Sequence, residues 1–132
     1  MKKSFAVVGL GRFGTNVALT LMESGAQVLA IDSNPECVKR ISSQVTCAVT
    51  VNVCETESLK EAGLENMDGV VVAMGNNLEA SAMTIITAKE LGVPYILAKS
   101  NNDEAAKILS KIGADKVIYP EKDAGINVAR KL

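Results

Sequence analysis

The sequence contains no histidine and no tryptophan, and only two phenylalanines and two tyrosines. Without histidine, the commonest general base of neutral-pH catalysis is missing. The three cysteines, Cys37, Cys47 and Cys54, show no C-x-x-C spacing. With no imidazole to join them, a zinc site is not expected. They read instead as small, half-buried side chains in a reducing compartment. No apolar run approaches the ~20 residues that cross a bilayer, and no signal-peptide pattern opens the chain. We therefore expect a cytoplasmic protein without direct membrane insertion. A net charge of −1 offers no overall attraction for nucleic acid. There is no linker, low-complexity tract or short-period repeat, and 132 residues read as one domain spanning 1–132.

What is abundant is aliphatic. Hydrophobic residues make up 48% of the chain and aromatics 3%, a mixture that suits buried parallel strands. The apolar run Phe5-Ala6-Val7-Val8 leads directly into G-x-G-x-x-G at Gly9, Gly11 and Gly14, and a helical pattern follows. Gly9 permits a tight strand-to-helix turn, Gly11 lets a pyrophosphate approach the backbone, and Gly14 lets the helix pack closely on the strand. The helix N-terminus then offers N–H groups and a positive dipole end to phosphates. A second apolar run, Val28-Leu29-Ala30-Ile31, ends in Asp32, 18 residues beyond Gly14. A carboxylate at that strand tip accepts ribose hydroxyls and repels a 2′-phosphate, favouring NAD or ATP over NADP. Asp32 could instead cap the helix that starts at Pro35, with Ser33 and Asn34 as rivals for that job.

Strand and helix signals alternate along the chain. Strands are predicted at 5–8, 28–31, 46–51, 70–73, 95–98 and 116–119, with helices near 12–23, 35–42, 56–62, 79–91, 103–112 and 124–132. Gly25, Gly63, Gly92 and Gly113 stand where helices should end. This alternation implies an α/β fold, a Rossmann-like, doubly wound, six-stranded parallel sheet with helices on both faces. The segment 78–91 carries no charge between Glu79 and Lys89 and is apolar around most of its circumference, so it should be buried on more than one side, by flanking helices or by a second subunit. The last helix aligns Ala124, Val128 and Leu132 on one face, which suggests that further protein or a partner continues the packing; fraying at an ordinary terminus is the alternative.

Gly-Leu-Gly-Arg-Phe-Gly at 9–14, Ile31-Asp32-Ser33-Asn34, Val72-Ala73-Met74-Gly75-Asn76-Asn77, Lys99, and Gly113-Ala114-Asp115 through Tyr119-Pro120-Glu121-Lys122-Asp123 together resemble the KTN domain (TrkA-N). This is the nucleotide-binding N-terminal lobe of RCK proteins, regulators of potassium channels and transporters. Within it the chain looks most like the cytosolic gating subunits of bacterial Ktr systems. The resemblance covers essentially the whole chain. It implies that Gly9, Gly11 and Gly14 form a phosphate loop in which Arg12, beside Phe13, reaches the phosphates. Asp32 would hold the ribose with Ser33 and Asn34 nearby, and Asn52 and Val53 would line the adenine pocket. Ala73, Gly75 and Asn76 would follow the fourth strand at the ligand edge, and Lys99 would add charge on the phosphate side. Glu121 would lie near a neighbouring subunit's nucleotide and help ligate a cation there, Mg, Ca or Na. The implied ligands are NAD(H) or ATP/ADP. The implied partners are a second copy in a homodimer that assembles into a larger ring, and a membrane-embedded potassium channel or transporter, so that the chain lies peripheral to the inner membrane. Val-Asn-Val at 51–53 departs from the Gly-Asp-Ala of many relatives, and the segment from about 122 to 132 would be a crossover to a C-terminal lobe or partner.

The alternative is the cofactor domain of an NAD-dependent oxidoreductase. That reading needs an acid or base facing the nicotinamide. Tyr95 and Lys99 have the spacing of a helical Tyr-x-x-x-Lys pair but fall in a predicted strand, about 13 Å apart. We expect no catalysis and name no catalytic residue.

Overall fold

The computed structural model describes residues 2–132. Short runs of three to six residues, buried on both faces in the central strands and half-exposed at the two edges, pair side by side as the strands β1 (Ser4–Val8), β2 (Gln27–Asp32), β3 (Cys47–Thr50), β4 (Gly69–Val72), β5 (Ile96–Lys99) and β6 (Lys116–Ile118). Between and after them run α1 (Arg12–Glu23), α2 (Pro35–Ile41), α3 (Thr56–Glu61), α4 (Leu78–Glu90), α5 (Asp103–Ile112) and α6 (Pro120–Lys131), with one 3-10 turn at Leu64–Asn66. All pairings are parallel, in the order β3-β2-β1-β4-β5-β6. The expected doubly wound sheet is thus observed.

Side chains alternate across the sheet, as strand geometry requires. Ala6 and Val8 of β1 face a core shared with Leu59, Leu64, Ile85, Ile96 and Leu109, under α3, α4 and α5. Val7 faces the opposite way, into a smaller core with Ala18, Val28, Ala30, Val38 and Ile41, under α1 and α2. The chain winds outward from β1 on one face and from β4 on the other. Their carboxyl ends therefore diverge into a crevice, the place where open α/β sheets take ligands.

Two aspartates fasten the other end of the sheet. Asp68, just before β4, donates its N–H to the Ser4 carbonyl at 2.8 Å and accepts the Ser4 N–H on Oδ2 at 2.8 Å. Asp115, just before β6, makes the same two-point clasp with the Ile96 carbonyl and N–H, at 2.8 and 2.7 Å. The Gly-Ala-Asp run at 113–115 is therefore a strand-pairing device.

Most expected boundaries shift by one residue, and the start of the last helix by four. β5 ends on Lys99 instead of before it, and α4 begins at Leu78. α6 begins at Pro120, whose missing N–H is harmless at a first helical position. For α4, the flanking helices α3 and α5 account for the burial of Ala80, Ser81, Thr84, Ile85, Thr87 and Ala88, leaving Leu78 and Ile86 exposed. α6 buries none of its residues.

This division of labour predicts a contrast in stability. Ile85→Ala, in the larger core, should cost about 2–5 kcal/mol. Val128→Ala on α6, where the native side chain is 60% exposed, should stay within about 0.5 kcal/mol. Urea unfolding of the two variants with matched slopes checks both values.

Candidate functional site

At the end of β1 the chain turns at Gly9, whose φ of +103° suits glycine and strains other residues. Its N–H donates to the Ile31 carbonyl at 2.8 Å, holding the turn against β2. A Cβ at Gly9 would meet the Ala73 backbone carbon at 2.9 Å, and one at Gly14 would run into the Gly9 carbonyl oxygen. Gly11 differs: a Cβ there would meet nothing within 4 Å. It stands at the N-cap of α1 in an extended conformation, and no side chain caps the helix. α2, α4 and α5 are capped by the side chains of Asn34, Asn77 and Asn102, whereas α3 and α6, like α1, have no side-chain cap. The first N–H groups of α1, those of Arg12 and Phe13, lack intrahelical acceptors by helix geometry and open toward the space above Gly11.

Asp32 closes one side of this space. Its Oδ2 accepts the Leu10 N–H at 2.7 Å and its Oδ1 accepts the Asn34 N–H at 2.9 Å. The carboxylate thus ties the glycine loop to the β2–α2 turn. An ionised carboxylate has about four lone-pair sites, so roughly one per oxygen remains for ribose hydroxyls. Asp32 does not cap α2; Asn34 does, accepting the Glu36 N–H on Oδ1 at 3.0 Å. That contact commits the Asn34 oxygen, and exposed Ser33 lies between the two.

The other side is closed by Lys99. Its side chain is 17% exposed and lies along Gly75, where a Cβ would press on Cε at 3.0 Å. The ammonium stands 5.7 Å from the centre of the Phe13 ring and 3.1 Å from Glu121 Oε1. Glu121 itself is 69% exposed. Its own backbone N–H and then the Lys99 ammonium hold its carboxyl below the ordinary value of 4.5, against a small desolvation effect in the other direction. Arg12 is exposed at the loop and belongs to neither ion pair found among the described residues.

The structure thus brings Gly9, Gly11, Arg12, Phe13, Gly14, Asp32, Ala73, Gly75 and Lys99 together at the carboxyl edge of the sheet. Three expected positions sit differently. The Val53 side chain is buried in the larger core, so at most its backbone faces a ligand. Asn52 spends its amide on its own turn, accepting the Cys54 N–H at 3.1 Å and donating to Glu55 Oε1 at 3.3 Å. Asn76 accepts a hydrogen bond from the Asn101 amide at 2.8 Å, beside a cleft under Lys99 that Asn102 also lines. Among the described residues no three carboxylate or thiol groups converge on a point that could hold a metal. A cation at Glu121 would therefore need ligands other than a second and third carboxylate or thiol of this chain. Sequence reasoning missed Asn101 and Asn102; the Ser-Asn-Asn-Asp run after β5, at the ligand edge, was the available signal.

A sequence profile of the TrkA-N domain matches residues 5–120. The chain belongs to the TrkA-N family. This TrkA-N chain is 45% identical over 130 residues to the Ktr system potassium uptake protein A of Bacillus subtilis (strain 168), covering 98% of the chain and 59% of that protein. It is 42% identical over 132 residues to the Ktr system potassium uptake protein C of the same organism, covering 100% of the chain and 60% of that protein. The chain thus spans about three fifths of the length of these relatives. Among solved structures, the TrkA-N domain of inner membrane protein ybaL from Escherichia coli superposes with a TM-score of 0.87 at 20% identity, covering 100% of this chain and 98% of that one. The GsuK channel bound to NAD superposes with a TM-score of 0.76 at 13% identity, covering 89% of this chain and 21% of that one. At these identities the structural likeness is one of fold.

Two outcomes test this geometry. Gly14→Ala should destabilise the protein by about 1–3 kcal/mol through the clash with Gly9, whereas Gly11→Ala should cost under about 1 kcal/mol; thermal melts of both variants decide. In a carbon-13 titration, Glu121 should titrate below the ordinary glutamate value of 4.5 and move upward in Lys99→Met. The sign follows from the shift: a depressed carboxyl pKa means that the ion pair holds at neutral pH and is lost as pH falls through that pKa.

Proposed function

We propose that this chain binds an adenine nucleotide, NAD(H) or ATP/ADP, across the carboxyl edge of its sheet, and that it serves as a regulatory domain in potassium transport. One observation carries the reading. The uncapped N-terminus of α1, open at Gly11, lies between a carboxylate suited to ribose and a half-buried lysine suited to phosphate. Phosphates on Gly11 would receive the Arg12 and Phe13 N–H groups and the dipole of α1, with Arg12 adding a charged fork. The ribose would use the free lone pairs of Asp32, whose charge disfavours a 2′-phosphate.

The names of the Ktr relatives support the link to potassium uptake, and NAD in the GsuK channel supports the ligand class. The domain works as a homodimer within a larger ring beside a membrane-embedded potassium channel or transporter, on the cytoplasmic side. No helix among the described residues is long and apolar enough to cross a membrane, which is compatible with a partner that does. A nucleotide biases such an assembly only if it binds two packings unequally, and about 1.4 kcal/mol of difference shifts their ratio tenfold. A cation near Glu121, completed by nucleotide phosphates, would be one source of that difference. We assign no chemistry to the bound nucleotide.

Calorimetric titration with ATP, ADP, NAD⁺ and NADH tests the reading. At least one should bind and raise the thermal midpoint. Asp32→Ala should weaken that binding about tenfold or more, the worth of hydrogen bonds to a charged acceptor. No heat and an unmoved midpoint with all four ligands would overturn the proposal.

A further inference from the structure

One short segment backs the phosphate side of the ligand edge: the turn at 73–77 between β4 and α4. Met74 fills the space behind Gly9, where a Cβ would meet its Cγ at 2.8 Å. Gly75 gives room to the Lys99 stem, whose Cδ and Cε lie 3.3 and 3.0 Å from the place of the missing Cβ. The two ends of the turn are anchored in the regular elements. Ala73 donates its N–H to the Val8 carbonyl at 2.7 Å, continuing the ladder, and Asn77 caps α4. The middle is held otherwise. It borders an open cleft of about 420 Å³, lined by Gly75, Asn76 and Leu78 among others, so on that side hydrogen bonds and not packing keep it in place.

Ser81 supplies the deepest of those bonds. A helical serine or threonine ordinarily bonds back within its own helix, as Thr84 does to the Ala80 carbonyl at 2.8 Å. Ser81 reaches seven residues back, out of α4, and donates its hydroxyl to the Met74 carbonyl at 3.0 Å. That carbonyl also accepts the Asn77 N–H at 3.1 Å, so both its lone pairs are engaged. Ser81 is only 2% exposed, and alanine there would suit a helix better. We infer that Ser81 is a positioning residue for phosphate binding: its buried hydroxyl sets the Met74 carbonyl, that carbonyl sets Gly75, and Gly75 sets the Lys99 ammonium. Asn101 steadies the same turn from the β5 side, donating its amide to Asn76 Oδ1 at 2.8 Å. The inference rests on the nucleotide reading above and names what fixes one half of that site. Lys99 keeps its bond to Glu121 throughout, because an ammonium has three donors, enough for a carboxylate and a phosphate together.

The test titrates ADP, with NADH in parallel, into the wild-type chain, Ser81→Ala, Asn101→Ala, Lys99→Met and each of the first two combined with Lys99→Met. Ser81→Ala should bind about three- to tenfold more weakly than wild type, and Asn101→Ala about two- to threefold, the worth of single hydrogen bonds. Lys99→Met should still bind through Asp32 and α1, and in that background neither change should weaken binding further, because its effect runs through the lysine. Adenosine, which brings no phosphate to Lys99, should not distinguish Ser81→Ala from wild type. A serine that only held the fold together would lower the thermal midpoint and weaken binding equally in both backgrounds. Asn101 is exposed, so Asn101→Ala carries the same comparison if Ser81→Ala does not fold. If wild type binds but the variant binds as tightly, or loses the same factor with and without Lys99, the positioning role is wrong while the nucleotide reading stands. If wild type binds neither probe, the nucleotide reading falls and takes this inference with it.

Discussion

The closeness of α1 to β1 governs everything at the ligand edge. Gly9 turns the chain with a positive φ, and Gly14 sits so near the Gly9 carbonyl that no side chain fits between them. Helix and strand are thereby locked at a separation that only glycine permits. With that contact in place, the α1 N-terminus lies over the divergence between β1 and β4, Leu10 reaches the Asp32 carboxylate, and Phe13 comes under Lys99. Widen the gap by one methyl group and each of these contacts shifts together.

Much of this was legible because it is local. Aliphatic runs long enough for one strand each, with glycines after the intervening helices, specify a parallel sheet wherever both faces must be buried. The glycine triad followed by Asp32 marked the crevice for the same reason: strand, turn and helix are contiguous in sequence. What the residues concealed depends on long-range approach or on local competition. Lys99 and Glu121 meet because β5 and the start of α6 converge at one edge, and neither residue signals the other. Val53 and Asn52 looked like ligand contacts by position. Core packing claimed the first, and an Asx-type turn claimed the second, as short amide side chains readily allow.

The charged and glycine residues at the strand ends divide into two kinds. Asp115, and Asp68 in the same role, join strands at the amino edge of the sheet, far from the crevice. Each replaces a missing ladder bond with a side-chain acceptor, so that β4 and β6 start in register with their neighbours. Asp32, Gly75 and Lys99 stand at the opposite edge and shape the crevice. A motif shared with relatives is thus no guide to which edge it serves; the strand end on which it falls decides that.

The bare N-terminus of α1 has a further meaning for the free protein. Three of its sister helices satisfy leading amides internally through asparagine, whereas α1, like α3 and α6, has no side-chain cap, and here the capping residue is glycine. Glycine forgoes only a few tenths of a kcal/mol there relative to serine or asparagine. Vacancy is thus nearly free to maintain, and a serine hydroxyl in its place would shut the entrance from within while hardly registering in a melting curve.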